Sequence, residues 1–194
     1  MYLTIKKPMK LIQKGFTLVE LLIVVIILAI LAAIVIPQFS SSTKDAQESA
    51  LDSNLNALRS AIDLYKAQHN GIYPGVTVSS GVVCTVGSAG TAAVNSEAAL
   101  IDQLTNLSNS SGGTCSGADP LTKLGPYLRK GIPADPFSSP AVSTVVVVTG
   151  GVSLSSGAAV PGAATGGWKY DTKTGQIVMN SNAADSKGQL YYTH

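Results

Sequence analysis

Apolar and polar positions divide the chain into a lipid-like stretch, an amphipathic stretch and a mixed remainder. From Phe16 to Ile36 nearly every residue is aliphatic, and the run stops at Pro37. At 1.5 Å per residue this segment makes a helix of about 31 Å, which matches a hydrocarbon core of about 30 Å. From Ser40 to Gln68 there is no Gly or Pro, and Leu51, Leu55, Leu58, Ile62 and Tyr65 recur at steps of four and three. That spacing predicts a helix with one buried stripe. Pro37 removes a backbone donor and crowds the carbonyl of Ala33, so a kink or local melting is expected between the halves. Asn70-Gly71 supplies the stop, reinforced by Pro74.

Beyond residue 71 the pattern is shorter-ranged. Gly75 to Gly90 reads as strand and loop. Ser96 is placed to cap a helix running to about Leu107, with Leu100, Ile101, Leu104 and Leu107 on one face. Ser108 to Gly117 reads as loop, and the prolines and glycines of 124–137 mark a surface crossing. Val142 to Thr149 is a strand candidate, and Ser153 to Gly167 is small-residue loop. Trp168 to Asp171 and Gln176 to Met179 read as a hairpin joined through Thr172 to Gly175. The tail through Tyr191 and Tyr192 offers one edge strand. The expected fold class is α+β: one long N-terminal helix, half hydrophobic and half amphipathic, packed on a small antiparallel sheet. The segments are 1–15, a basic leader; 16–37, the apolar span; 38–70, the amphipathic half of the same helix; and 71–194, a globular head.

Charge changes this picture at the N-terminus. The formal net charge is +2, yet Lys6, Lys7, Lys10 and Lys14 all precede Gly15 without an acidic companion. Removal of residues 1–15 would turn +2 into −2. The lysines place the N-terminus in the cytoplasm and the head across the membrane. Met9 opens a second, shorter leader. A secretory signal would have a shorter apolar core with a small-residue cleavage site after it. Here the small residue, Gly15, comes before the run, so cleavage ahead of the run is the better reading. A weakly acidic product lacks the basic patch of a nucleic-acid binder.

Glu20 is the one carboxylate inside the apolar run. An unpaired charge near the middle of a membrane helix costs at least about 2.5–3.5 kcal/mol, less toward the ends. It is therefore either a passenger near the interface or a residue awaiting a partner. Ala29 and Ala33 lie four apart, a spacing that permits close helix approach in lipid; plain helix propensity explains the same alanines equally well. Cys84 and Cys115 are even in number and suit a disulfide outside the cytoplasm, closing a loop of about 30 residues, or stand as two buried thiols.

Catalytic signatures are missing. There is no G-x-S-x-G elbow and no phosphate-binding G-x-x-x-x-G-K-[ST]. His69 with Cys84 or Cys115 is the one conceivable nucleophile pair. Asn106-Leu-Ser and Asn109-Ser-Ser match a glycosylation pattern but read as ordinary Ser/Asn loop. A simple single-pass anchored domain accounts for the lysines, the apolar run and the head. It leaves Glu20 and the Gly15-Phe16 junction unexplained.

Lys14-Gly15-Phe16-Thr17-Leu18-Val19-Glu20-Leu21-Leu22, with the aliphatic run ending at Pro37, resembles the type IV prepilin signature. Type IV pilins and the pseudopilins of type II secretion share it. The resemblance is close from about Lys10 to Phe39 and looser through Asn70-Gly71-Ile72-Tyr73-Pro74. It implies cleavage after Gly15 by a membrane-embedded prepilin peptidase and N-methylation of Phe16 by a methyltransferase. It also implies pairing of Glu20 with the N-terminal amine of a neighbouring subunit. Phe16, Glu20, Ala29, Ala33 and Pro37 would be the assembly residues. The implied partners are identical or related subunits, the inner-membrane assembly platform and membrane lipid. The implied location is the bacterial inner membrane, followed by an extracellular pilus or a periplasmic pseudopilus.

Gly125-Pro-Tyr-Leu and Ile132-Pro-Ala-Asp-Pro136 resemble a segment of major pseudopilins, and Trp168-Lys-Tyr-Asp with Thr174-Gly-Gln-Ile resembles the terminal hairpin of pilins. The calcium loop of major pseudopilins is not matched, since Asp171 and Asp185 do not reproduce it. No cofactor or metal is therefore expected. The mid-chain cysteines also depart from the C-terminal pair of some pilins. A pilus subunit is the favoured expectation and a secretion pseudopilin the alternative.

Overall fold

The computed structural model describes residues 15–151, 153–155, 161–163 and 165–194. The leader lysines and the second start at Met9 lie outside the described residues. Two compact units divide at Thr43–Lys44.

Helix α1 spans Leu18–Gln68. The helical assignment continues through Pro37, so the expected local melting is not seen. One missing donor removes a single bond from a ladder of 51 residues and leaves the turns on either side intact. Before Thr43 every described side chain of the helix is exposed. After Lys44 one face is buried: Leu51, Leu55, Leu58, Ala61, Ile62 and Tyr65, all at 5% exposure or less. At the helix end Asn70 (φ 55°) and Gly71 (φ 81°) adopt left-handed backbone. The Gly71 amide then reaches back to the Lys66 carbonyl at 2.9 Å, satisfying a carbonyl the helix leaves open.

The head of the second unit is built on that buried face. Helix α2, Glu97–Thr105, is capped by Ser96, whose side chain accepts from the Ala99 amide. Strands β1, Leu107–Ser108, and β2, Thr114–Cys115, form a short antiparallel pair within the stretch expected to be loop. Strands β3, Val145–Val148, β4, Trp168–Asp171, and β5, Ile177–Met179, form one sheet in that order. The β4–β5 hairpin is antiparallel as expected, with Trp168 opposite Met179. Its turn requires Gly175: at φ 72° a Cβ there would strike the Tyr73 ring.

Three expectations are corrected. Strand β3 pairs parallel to β4, so the sheet is mixed rather than antiparallel. Parallel pairing requires the chain to return in the same direction between Val148 and Trp168, which a tight hairpin cannot do. Residues 75–90 form no strand. Gly75, Gly81 and Gly87, all at positive φ, interrupt the extended run. Ser79 instead bonds irregularly to Ala92 and Thr114. The tail ends in a 3₁₀ turn, Tyr191–Thr193, not in an edge strand.

The core joins the buried stripe of α1 to Leu100 and Leu104, Val145, Trp168, Tyr170, Ile177, Met179 and Tyr191. Two of its large aromatics, Trp168 and Tyr170, keep their polar atoms satisfied, while the buried Tyr65 hydroxyl has no partner among the described residues. Trp168 Nε1 donates to the Pro133 carbonyl at 2.7 Å, and Tyr170 Oη donates to the Pro74 carbonyl at 2.9 Å.

Candidate functional site

The site begins where the backbone enters α1. Gly15 is exposed, with nothing near its missing Cβ, and Phe16 is 83% exposed. Thr17 stands before the first helical residue and caps it. Its hydroxyl accepts from the Glu20 amide at 3.2 Å. Glu20 Oε2 in return accepts from the Thr17 amide and the Thr17 hydroxyl, each at 2.9 Å. This reciprocal pair is a capping box of the T-x-x-E type, which satisfies amides the first turn leaves open. Sequence reasoning treated Glu20 as unpartnered and missed Thr17, although the three-residue spacing was there to read. Among the described residues the Glu20 carboxylate is thus held by two neutral donors and no cation.

The run that follows is a continuous apolar surface. Leu18, Leu21, Leu22, Ile26, Ile27, Leu31 and Ile34 are each more than half exposed. Phe16, Glu20, Leu21 and Val24 line a shallow apolar depression at its start. Ala29 and Ala33 sit on the exposed surface one helical turn apart, and Pro37 follows inside the same helix. α1 is long and apolar enough to cross a membrane, its most apolar window having mean hydropathy 3.4 and none of it buried by the protein. Burying one such leucine or isoleucine stabilises by about 1.5–3 kcal/mol. A row of them left bare is a surface that requires lipid or other protein.

The remaining candidates resolve in the second unit. Cys84 and Cys115 form a disulfide with Cα atoms 5.8 Å apart. It ties the irregular 79–92 segment to β2. Beside it the buried Asp119 accepts from the Thr85 hydroxyl and amide at 2.6 Å. With both sulfurs bonded, a Cys–His nucleophile does not form. His69 is itself buried: Nδ1 faces the Tyr65 carbonyl at 2.8 Å, Nε2 faces Ser108 Oγ at 3.0 Å, and the ring stacks on Tyr65 at 3.7 Å. Burial pushes its pKa below the ordinary value, against the opposing pull of the Tyr65 and Asn109 backbone. Asn109 serves as a turn residue, its side-chain oxygen accepting from the Ser111 and Gly113 amides.

The 125–136 segment is tied to both helices of the head. The Leu104 carbonyl accepts from the Tyr127 and Leu128 amides, while Gln47 and Asn54 of α1 donate to the Pro136 and Ala134 carbonyls. The Asp135 carboxylate is buried and accepts from three amides, those of Phe137, Ser138 and Gly167. It fastens the crossing to the start of β4. Among the described residues no cluster of three or more His, Cys, Asp or Glu is arranged to hold a metal ion.

One comparison with known proteins falls on the same N-terminal stretch. A family described as the prokaryotic N-terminal methylation motif matches residues 11–36. The type II secretion system core protein G of Pseudomonas aeruginosa is 44% identical over 62 residues, 32% of this chain and 43% of that protein. Its counterpart in Vibrio cholerae is 40% identical over 62 residues, covering 32% and 42%. The type IV major fimbrial protein FimA of Dichelobacter nodosus is 51% identical over 55 residues, 28% of this chain and 35% of that protein. The chain spans less than half the length of these relatives. No solved structure matches it.

Proposed function

We propose that the chain is a structural subunit of a type IV pilus-like filament. It is inserted in the inner membrane as a precursor, cut after Gly15 and methylated on the new Phe16 amine. The subunits then join by packing of their apolar helices. One observation carries this reading: an apolar helix that its own chain leaves bare, opened by Gly15-Phe16 and holding a single carboxylate at Glu20. The matches to a methylation motif, to secretion core proteins and to a fimbrial protein support it.

The chemistry follows from charge. Cleavage creates a cation at Phe16, next to the capping box that holds Glu20. In lipid an amine and a carboxylate are each costly alone and much less so together. When helices stack with an axial offset, the carboxylate of one subunit exchanges Thr17 for the amine of the next. The pair fixes register, and apolar packing supplies the bulk of the attraction.

Glu20→Ala should leave membrane insertion intact and reduce filament yield in sheared-surface fractions by at least about tenfold, the equivalent of 1.4 kcal/mol per added subunit. Wild-type yield would remove Glu20 from assembly. A second reading, a pseudopilin of a type II secretion system, is favoured by the core protein G matches and by the 125–136 segment. Long surface filaments containing the chain support the first reading, and short periplasmic assemblies the second.

A further inference from the structure

Among the described residues strand β3 lies at an edge of its sheet. The Trp168 amide donates to the Thr144 carbonyl at 2.9 Å and the Thr172 amide to the Val148 carbonyl at 3.0 Å. With Val145 opposite Trp168 and Val147 opposite Tyr170, that ladder uses alternate residues of β3. The amides and carbonyls of Val145 and Val147 therefore face away from β4. Such a row is a template for another strand.

The segment carries nothing of its own to prevent this. Its four residues are all valine, and no charged residue lies between Asp135 and Lys169. A β-branched, uncharged, proline-free run is the composition that pairs with copies of itself. Charge enters from another element. Glu97, the first residue of α2, accepts from the outward Val145 amide at 2.7 Å through Oε1. The helix does not need Glu97 as its cap, because Ser96 already fills that role.

We propose that Glu97 guards the β3 edge: its carboxylate holds the hydrogen-bonding position that β3 of a second copy would otherwise take. The occupant excluded is a second copy because identical uncharged strands are self-complementary about a two-fold axis, with no like charges to oppose. This inference stands apart from the filament reading, since it concerns the head alone.

The test uses the full chain purified in detergent micelles, with amide exchange read residue by residue and a photo-crosslinking residue at exposed Ser143. In wild type the Val147 amide exchanges at a rate independent of protein concentration. In Glu97→Ala it should exchange about tenfold more slowly at high concentration than at low, with copies crosslinked through position 143. Adding Val146→Lys on the exposed face of the strand should abolish both effects, and Glu97→Gln, which keeps the acceptor, should behave as wild type. A Glu97→Ala protein that keeps Tyr170 amide protection and shows no concentration dependence at Val147 overturns the proposal. So do crosslinks that persist with Val146→Lys, which would trace to the apolar helices instead. Glu97→Ser is made in parallel. If neither variant retains Tyr170 protection, Glu97 is a folding residue and the guard role fails.

Discussion

The two halves of α1 use one secondary structure to opposite ends. Residues 18–36 present aliphatic side chains almost all round, and none of residues 18–43 is buried by the chain itself. Residues 44–68 carry a narrower stripe, with Leu51, Leu58 and Tyr65 at 0% exposure against the head. A helix apolar all round asks for lipid or other helices, whereas a helix with one stripe asks for a single packed face. The same contrast governs polar groups. In the second half several bond to the head, as Gln47 and Asn54 do. In the first half the one charged side chain, Glu20, is parked on Thr17.

Equivalent damage to the two halves should therefore have unequal consequences. Trp168→Ala, which empties the core that the second half packs against, should cost the head about 3–5 kcal/mol. Leu28→Ala, in the bare half, should leave head unfolding unchanged. Thermal unfolding of the full chain in detergent, followed by near-UV circular dichroism, measures both. Equal effects would dissolve the distinction between halves.

Replacing both cysteines by serine should destabilise the head by about 3–4 kcal/mol, since the bridge closes a loop of about 30 residues. Urea unfolding with and without reductant checks this. Membrane insertion, which belongs to the first half, should not change.

The smallest effect concerns His69. Burial lowers its folded pKa below that of the unfolded chain, about 6.5, so over that interval the unfolded state binds more protons. The stability this contributes is present above pH 6.5 and is lost as pH falls below it. Head stability should drop between pH 6.5 and 5 in wild type and drop less in His69→Gln, as urea midpoints across that range will show.

The sequence made some of this legible and not the rest, for physical reasons. The leucine spacing from 51 to 62 named the buried face of α1, Ser96 named the start of α2, and the β4–β5 hairpin followed from its turn residues. These signals are local. The parallel pairing of β3 depends on how the chain returns between Val148 and Trp168, which no local pattern encodes. Residues 75–90 misled because their valines suggest a strand while positive-φ glycines prevent one. At the candidate site, Glu20 stands out in the sequence as a charge in an apolar run, and Gly15-Phe16 as a small-residue step ahead of it. Thr17 was not singled out, because a hydroxyl at a helix start looks ordinary until its partner is seen. The grip of Asp135 on the Gly167 amide, 32 positions away, carried no sequence signal.

In the proposed filament the bare half of α1 is kept in the mature chain with a new amine at its head. Intact-mass measurement of the chain recovered from filaments tests this most directly. The mass should correspond to a protein beginning at Phe16 and carrying one added methyl group. A chain that retains its lysine leader, or one that begins beyond Pro37, would contradict it.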